Sequence, residues 1–235
     1  MKMSNDKITL SILIPAYKEE ENLKVLLPRL KAVTASLPFS SETIIIDQIR
    51  SQDGTEAICL ENDVKYLNRQ GDNFYSSAVK TGIQYAKGEL ILFMDADGSH
   101  APEFIANLVR EIDHFDVVIA SRYVEGGDTE NNRFLILLSW FVNVLYSKML
   151  NIKCKDVSNS FKLYRANLLK SLTLNAKNFD IIEEIMYKIC KFHREVKIKE
   201  IPFCFQKRLF GTSKRNLWAF TISYLLTLFR LRFGR

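Results

Sequence analysis

The chain has 235 residues, of which 47% are apolar, with only nine glycines and five prolines. This length and composition favour one globular domain and exclude a disordered chain or a collagen-like repeat. The net charge is +6, yet residues 191–235 hold eleven basic residues against two acidic ones, which predicts an anionic partner near the C-terminus, such as membrane phosphate or a diphosphate substrate.

Cysteine usage and the first residues give an expectation about the compartment. The four cysteines show no C-x-x-C spacing and the three histidines are scattered, so we expect neither a zinc site nor a disulfide framework. The opening MKMSNDKITL contains no apolar stretch typical of a secretory signal. These features predict a protein that faces the cytoplasm.

Apolar, β-branched runs alternate with helical patterns through the first half of the chain. The predicted strands cover residues 8–17, 42–48, 64–68, 89–97 and 116–123. Nearly continuous apolar strands separated by amphipathic helices are typical of an α/β fold with a Rossmann-like, mostly parallel sheet flanked by helices. The first helix is predicted at about 20–36, Asp53 is the expected N-cap of the second, and Pro102 suits a first helical turn.

The pattern changes after residue 125. The predicted elements are a loop (125–133), an apolar helix (134–147), a short strand (161–165), a helix (179–192), a strand (196–205), a basic loop (207–215) and a final helix from Asn216. We therefore expect one domain over residues 1–215 and a basic, apolar C-terminal helix over residues 216–235.

Two uncharged apolar segments, 134–147 and 217–229, raise the question of a membrane. Each spans only ~20 Å as a helix, short of the ~30 Å hydrocarbon core, so neither is expected to cross a bilayer alone. Flanking cations suit the second segment to a helix that lies in an anionic membrane interface, and packing against the domain is the alternative. Without a recognisable nucleic-acid-binding module, no nucleic acid partner is expected.

Polar residues end three of the predicted strands. They are Tyr17 with Glu19, Asp47 with Gln48, and Asp95 with Asp97. Because ligands of parallel α/β sheets bind beyond the carboxyl ends of the strands, we expect these side chains to line one crevice.

The stretch ILFMDADGSH holds the strongest chemical signal of the chain. A D-x-D pair alone is a weak motif, and two solvated turn residues are the alternative. If the strand continues through the motif, Asp95 and Asp97 share one face and aim at one hard cation; if its end twists, one carboxylate binds metal and the other a ribose.

Six motifs occur in an order that resembles glycosyltransferase family 2, in particular its dolichol-phosphate mannosyltransferase-like branch. They are PAYKEEENL (15–23), IIID with DGT (53–55), AVKTGIQYAKGELILFMDADGSH (78–100), SRY (121–123), DVSNSFKLYR (156–165) and GTSK (211–214). The resemblance covers about residues 8–215. It implies the nucleotide-diphospho-sugar transferase fold, named GT-A, and an inverting, metal-dependent transfer from a UDP- or GDP-linked sugar.

The resemblance also implies roles for individual residues. The donor would be bound by Pro15, Tyr17, Glu19, Asp47, Asp95, Ala96 and Asp97. Asp95 and Asp97 would hold Mg²⁺ or Mn²⁺ on the donor diphosphate. Arg122, Arg133, Arg208, Ser213 and Lys214 would meet an acceptor phosphate. The residues expected to act in catalysis are Asp97, Arg208, Lys214 and, as a general base where one is needed, Glu184.

Several alternatives stay open. Glu184 also suits a helix first turn, Asp156 also suits an Asx turn, and Arg133 also suits a solvated loop. Gln48 stands where the family usually has a second aspartate, which leaves the donor base open. The favoured acceptor is a polyprenyl phosphate at the inner face of a membrane; a glycan hydroxyl is the rival acceptor, and a sugar-nucleotide-binding membrane adaptor without activity is the rival outside the enzymes.

Overall fold

A computed structural model describes residues 8–130, 133–211 and 217–233, apart from the side chains of Arg133 and of residues 217–222. The described residues form nine strands and eight helices. The strands are β1 (Leu10–Pro15), β2 (Ser41–Asp47), β3 (Lys65–Asn68), β4 (Leu90–Phe93), β5 (Val117–Ser121), β6 (Asp128–Thr129), β7 (Lys162–Arg165), β8 (Ile198–Pro202) and β9 (Cys204–Phe205). The helices are α1 (Glu20–Ser36), α2 (Thr55–Glu61), α3 (Tyr75–Tyr85), α4 (Ile105–Glu111), α5 (Arg133–Leu150), α6 (Ala166–Lys170), α7 (Ile181–Phe192) and α8 (Leu217–Phe233).

Seven strands form one sheet in the order β3-β2-β1-β4-β7-β5-β8. Every pairing is parallel except those of β7, which lies antiparallel between β4 and β5. Because β7 runs against its neighbours, its first residues reach the edge of the sheet where β4 and β5 end. The expected α/β architecture with a mostly parallel sheet is confirmed.

The two faces of the sheet are buried in separate apolar layers, because side chains of successive strand residues alternate between them. Leu13, Ile91 and Ile119 face the layer that contains α3, α5, α7 and α8, whereas Ile12, Leu92 and Val118 face the layer with α1 and α4. Burial on both faces explains why these strands read as continuous apolar runs.

Three local predictions need correction. The strand predicted at 196–205 is two strands, β8 and β9, separated by Phe203, and the loop predicted at 125–133 contains β6, which pairs with β9. The N-cap of α2 is Gly54 rather than Asp53, whose carboxylate instead accepts hydrogen bonds from the N–H groups of Thr55 and Glu20. By contrast, Pro102 agrees with its predicted place in a first helical turn, because it begins the 3₁₀ turn directly before α4.

Helix α8 packs with one face against α5 and α7. Its Tyr224, Leu228 and Leu231 are buried in the apolar layer there. Tyr146 of α5 donates a hydrogen bond to the carbonyl of Tyr224, and Asp180 accepts one from Thr227. The opposite face leaves Leu225, Leu226, Phe229 and Phe233 exposed.

The sequence left two alternatives for this helix, packing against the domain or an apolar surface open to a membrane interface. One side of α8 packs against the domain, and the other side exposes apolar residues. Within the described part of the chain, no helix combines the length and the apolar character that a membrane crossing requires.

Candidate active site

The polar residues that follow β1, β2 and β4 lie along one edge of the sheet, as the sequence predicts. These strands are parallel neighbours, so their carboxyl ends coincide. Strand β5 adds Arg122 at the same edge, and antiparallel β7 brings Ser160, which precedes it. The fold therefore gathers side chains that are up to about 150 positions apart in the sequence.

Asp47 and a buried arginine shape one end of this edge. Asp47 is buried, and its carboxylate accepts a hydrogen bond from the hydroxyl of Tyr66. Arg69 donates to the carbonyls of Ala16, Asp47, Asn73 and Phe74, and so ties together the ends of β1 and β2 and the loop before α3. Burial lowers the pKa of Arg69. We did not predict this residue, since a single arginine after a strand carries no distinctive pattern.

The residues expected at the donor lie on or beside this part of the edge. Pro15 is the last residue of β1, Tyr17 is exposed just beyond it, and Ala96 is buried within the D-A-D turn. An exposed aromatic ring beside a buried turn provides a surface on which a planar base can stack.

Asp95 and Asp97 do not share a strand face, because β4 ends at Phe93 and both aspartates lie in the following turn. The Asp95 carboxylate accepts a hydrogen bond from the hydroxyl of Ser160. Its backbone N–H donates to Nδ1 of His100, which is fully buried and stacked on Phe161. Burial lowers the pKa of His100 and favours the neutral ring. The turn therefore gives the two carboxylates different environments.

Asp97 meets a cationic side chain. One carboxylate oxygen accepts hydrogen bonds from the N–H and hydroxyl of Ser99. The other lies 3.3 Å from a terminal nitrogen of Arg208. Burial opposes the charge of Asp97, but these hydrogen bonds and the nearby cation outweigh it, and its pKa is lowered. Asp97 is therefore an anion at neutral pH.

Arg208 bridges two carboxylates from different parts of the chain. The terminal nitrogen that does not contact Asp97 donates to both oxygens of Glu19, a buried residue at the start of α1. Although partial burial disfavours the cation, the hydrogen bond to Glu19 outweighs that effect and raises the pKa of Arg208. The predicted residues Glu19, Asp97 and Arg208 therefore form one cluster.

Arg122 is held differently, by a fully buried aspartate. Its Nε and one terminal nitrogen donate to the two oxygens of Asp156, at 2.8 and 2.7 Å, and its backbone N–H donates to the same carboxylate. Despite the opposing effect of burial, the guanidinium lowers the pKa of Asp156. Asp156 also accepts a hydrogen bond from the N–H of Asn159, three residues on, and its main partner is Arg122 rather than the Asx-turn N–H two residues on.

Glu184 does not join these clusters in the described contacts. Its carboxylate is buried and accepts hydrogen bonds from the N–H groups of Asn175 and Ala176, and it pairs with Lys188. Both carboxylate oxygens of Glu184 are therefore occupied by groups of the protein itself. These contacts favour a structural role in holding the segment before α7.

The adjacent Glu183 is fully buried, and neither of its oxygens has a hydrogen-bond partner among the described residues. Burial raises its pKa to about 8. This environment cannot be recognised from two consecutive glutamates.

The remaining residues expected at an acceptor phosphate lie at the limits of the described residues. Helix α5 begins at Arg133, whose side chain is outside the description, as are Ser213 and Lys214. Beside Arg122, Tyr123 and three residues of α5 line a shallow apolar hollow of about 440 Å³. The α5 residues are Ile136, Leu137 and Trp140.

The residues around Asp97 fit a divalent cation whose ligands come partly from the protein and partly from a phosphate group. No set of three or more His, Cys, Asp or Glu ligands comes together in the described chain. Mg²⁺ commonly binds one or two carboxylates and completes its shell with substrate phosphates and water. The guanidinium beside Asp97 and Glu19 marks a position that already attracts a positive charge.

Comparisons with known proteins agree on one family. The model of the family described as Glycosyl transferase family 2 matches residues 11–173. A dolichol-phosphate mannosyltransferase of Pyrococcus furiosus is 32% identical over 211 residues, which cover 87% of this chain and 58% of the relative. A dodecaprenyl-phosphate galacturonate synthase of Rhizobium johnstonii is 30% identical, covering 71% and 51%. An undecaprenyl-phosphate mannosyltransferase of Micrococcus luteus is 29% identical, covering 87% and 86%. The chain thus spans between half and two thirds of the length of the first two relatives.

Solved structures share the fold. Glucosyl-3-phosphoglycerate synthase from Mycobacterium tuberculosis, in complex with Mn²⁺, UDP and phosphoglyceric acid, superposes with a TM-score of 0.74 at 17% identity. The match covers 97% of this chain and 80% of that one. The same enzyme with Mg²⁺ and UDP gives a TM-score of 0.73 at 16% identity, with the same coverage. The predicted GT-A fold is confirmed.

Proposed function

Because the chain belongs to glycosyl transferase family 2, we propose that it moves a sugar from a UDP- or GDP-linked donor to a polyprenyl phosphate, with inversion at the anomeric carbon. Three relatives whose printed names all join a sugar to a polyprenyl phosphate support this acceptor. The observation that carries the proposal is the position of an apolar hollow directly beside Arg122 at the polar edge of the sheet.

The hollow and Arg122 match the two parts of a lipid phosphate. Tyr123 lines the hollow, and the guanidinium of Arg122 lies 5.1 Å from its ring. An isoprenoid chain would lie in the apolar hollow and its phosphate would face Arg122, with Arg133, Ser213 and Lys214 as further candidates for that phosphate. A glycan hydroxyl acceptor gives no reason for an apolar surface at this position.

The donor would bind at the ends of β1, β2 and β4. Asp47 would hydrogen-bond the base or ribose, while Pro15, Tyr17, Glu19 and Ala96 would line the nucleotide. Asp95 accepts a hydrogen bond from Ser160, which suits it to holding the turn and the ribose, and Asp97 remains as the principal carboxylate for Mg²⁺ or Mn²⁺. A divalent cation bound there with the donor diphosphate would supply Lewis-acid stabilisation of the leaving group.

The chemistry requires one bond to break and one to form. The acceptor phosphate oxygen bonds to the anomeric carbon while the bond from that carbon to the donor diphosphate breaks, and the electron pair leaves with the nucleoside diphosphate. Arg208 would stabilise the charge that develops on this leaving group. A phosphate oxygen is already an anion at neutral pH, so this acceptor requires no general base and no such role for Glu184.

A lipid acceptor requires contact with a membrane surface. The exposed face of α8 carries four large apolar side chains together with Arg230 and Arg232, and α5 exposes Phe134, Leu137, Trp140 and Phe141. Apolar side chains with flanking cations suit a helix at an anionic bilayer surface. We therefore propose peripheral association with the cytoplasmic face of a membrane.

The test is a transfer assay on the full chain with labelled UDP- and GDP-linked sugars, Mn²⁺, and undecaprenyl phosphate or defined glycans. We expect a labelled product that extracts with the lipid, requires the metal, and disappears in Asp97→Asn. Label on a glycan with none on the lipid would favour the rival acceptor. If no donor yields product on either acceptor, and Asp97→Asn keeps the cellular role, the protein is an adaptor.

A further inference from the structure

The segment that carries Arg208, here termed the covering segment (residues 206–211), lies across the D-A-D turn. The N–H of Gln206 donates to the carbonyl of Ser99, and the N–H of Leu209 donates to the carbonyl of Asp97. The Leu209 side chain rests on Gly98, where an added Cβ would come within 2.5 Å of it. Gly98 also has a φ of +82°, so both its conformation and this contact favour glycine.

The covering segment has little apolar anchorage of its own. Leu209 and Phe210 are 42% and 47% exposed, so hydrogen bonds carry much of its attachment. A segment held mainly by a few polar contacts near solvent opens at low free-energy cost unless one contact is buried. Asn22 supplies that buried contact.

Asn22 lies in the first turn of α1 and is 3% exposed. Its side-chain oxygen accepts the N–H of Phe210 at 3.0 Å, and its amide nitrogen donates to the carbonyl of Phe210 at 3.3 Å. The same nitrogen donates to Glu19 at 2.6 Å. One buried amide therefore fixes both the backbone next to Arg208 and the carboxylate that Arg208 binds.

We propose that Asn22 is a positioning residue that clamps the covering segment, so that Arg208 occupies the Asp97 oxygen that does not accept from Ser99, where a divalent cation would bind when it arrives with the donor. In the free protein the guanidinium pairs with Asp97 and Glu19 and competes with a metal ion for Asp97. When cation and diphosphate bind, the clamp keeps Arg208 close enough to turn from Asp97 to the phosphate oxygens. This second step rests on the proposed function, whereas the first does not.

The experiment compares the wild type with Asn22→Ala and Leu209→Ala. Leu209→Ala loosens the same segment from an exposed position, so it keeps the test informative if Asn22→Ala folds poorly. The matched control is Asn62→Ala at the end of α2, which removes a side-chain hydrogen bond to the carbonyl of Ile58. Folding of each variant is checked by its thermal unfolding midpoint.

Two readouts need no donor. Tryptic cleavage after Lys207 and Arg208 is expected to accelerate about tenfold in Asn22→Ala and less in Leu209→Ala, since cleavage follows the open population. Affinity for Mn²⁺ alone is expected to rise about three- to tenfold in both, because a competing cation has been released from Asp97. Asn62→Ala should match the wild type in both readouts.

Transfer assays then test the second step. With donor and Mn²⁺, Asn22→Ala is expected to lower kcat about tenfold or more with a smaller change in the donor KM, because Arg208 is no longer aimed at the diphosphate. A purely structural loss would instead reduce the active fraction of Asn62→Ala as well.

Each outcome has a distinct meaning. Unchanged cleavage and unchanged or absent Mn²⁺ binding in both variants overturn the clamp. Faster cleavage with unchanged Mn²⁺ affinity overturns the competition for Asp97. Changes in both readouts, together with a wild type that transfers no sugar, leave the clamp standing and refute the proposed function.

Discussion

Arg122 and Arg208 both meet carboxylates at the same edge of the sheet, Arg122 in the interior and Arg208 from a surface segment. Arg122 donates twice to Asp156, a fully buried carboxylate that also accepts two backbone N–H groups. Arg208 contacts Asp97 through one nitrogen at 3.3 Å and is partly open to solvent. A pair held by several hydrogen bonds inside the protein is a fixed part of the fold, whereas a single contact near solvent can exchange for another ligand.

The largest expected effect is on the interior pair. Asp156→Ala leaves the Arg122 cation buried without a counter-charge, so the free energy of unfolding should fall by about 3–5 kcal/mol. Urea denaturation of the wild type and of Asp156→Ala at pH 7 measures this fall in the free energy of unfolding. The control is Glu103→Ala, which breaks the exposed pair with Arg29 and should cost less than about 1 kcal/mol.

The pH dependence adds a second check on Asp156. Its pKa is lowered in the folded state, so the stabilisation is present above the ordinary value of 3.8 and is lost as the pH falls through the lower folded value. Equal losses in Asp156→Ala and Glu103→Ala at pH 7 would contradict the distinction between interior and surface pairs.

The next effect concerns catalysis rather than stability. Arg208→Ala should lower kcat/KM by about 10²–10³-fold, because a cation that meets the diphosphate charge is lost. The free energy of unfolding should fall less than in Asp156→Ala, because Glu19 keeps its hydrogen bond from Asn22 and Asp97 keeps those from Ser99. The kcat/KM of Arg208→Lys should lie between the values of the wild type and Arg208→Ala. Lysine keeps the positive charge but lacks the planar guanidinium that reaches both Glu19 and Asp97. A variant that loses stability and activity in proportion would show that Arg208 belongs with Arg122 as a structural residue.

The smallest effect comes from a buried carboxyl whose oxygens have no hydrogen-bond partner among the described residues. The pKa of Glu183 is raised to about 8 by burial, against an ordinary value of 4.5. Between these pH values the folded carboxyl holds a proton that the unfolded chain has released, so stability decreases as the pH rises from about 4.5 to 8. Glu183→Gln removes this loss and should raise the free energy of unfolding by about 1–3 kcal/mol at pH 8 and little at pH 5.

Urea unfolding of the wild type, Glu183→Gln and Glu103→Gln at the two pH values measures this difference. Glu103 is exposed and serves as the matched change of a carboxyl to an amide. Identical pH dependence in the wild type and in Glu183→Gln would show that Glu183 is ionised in the folded protein.

The residues that the sequence identified are those with a local pattern around them. Apolar runs located the five strands of the first half, and the polar residues after β1, β2 and β4 meet at one edge because parallel strands end together. The end of β4 at Phe93, two residues before Asp95, could not be predicted, since turn chemistry decides it.

The residues that the sequence missed depend on distant partners. Asn22 and His100 lie inside two of the motifs and Arg69 lies outside them, but no local pattern assigns a role to any of the three. Their roles come from Phe210, from the N–H of Asp95 and from four backbone carbonyls, respectively. The same holds for Glu184, whose partners in the segment before α7 are set by tertiary packing. Sequence patterns report local conformation and burial, but they do not report which buried polar groups meet.

The antiparallel course of β7 has a consequence for how this protein family can diversify. The chain leaves the sheet after Ser121 and returns at Ser160 on the same edge, so everything between is a detour that includes α5. Closing a longer detour costs little additional free energy, because the cost grows only with the logarithm of its length. Lengthening or exchanging this excursion would therefore reshape the side that we propose to bind the acceptor, while the side that we propose to bind the nucleotide keeps its register.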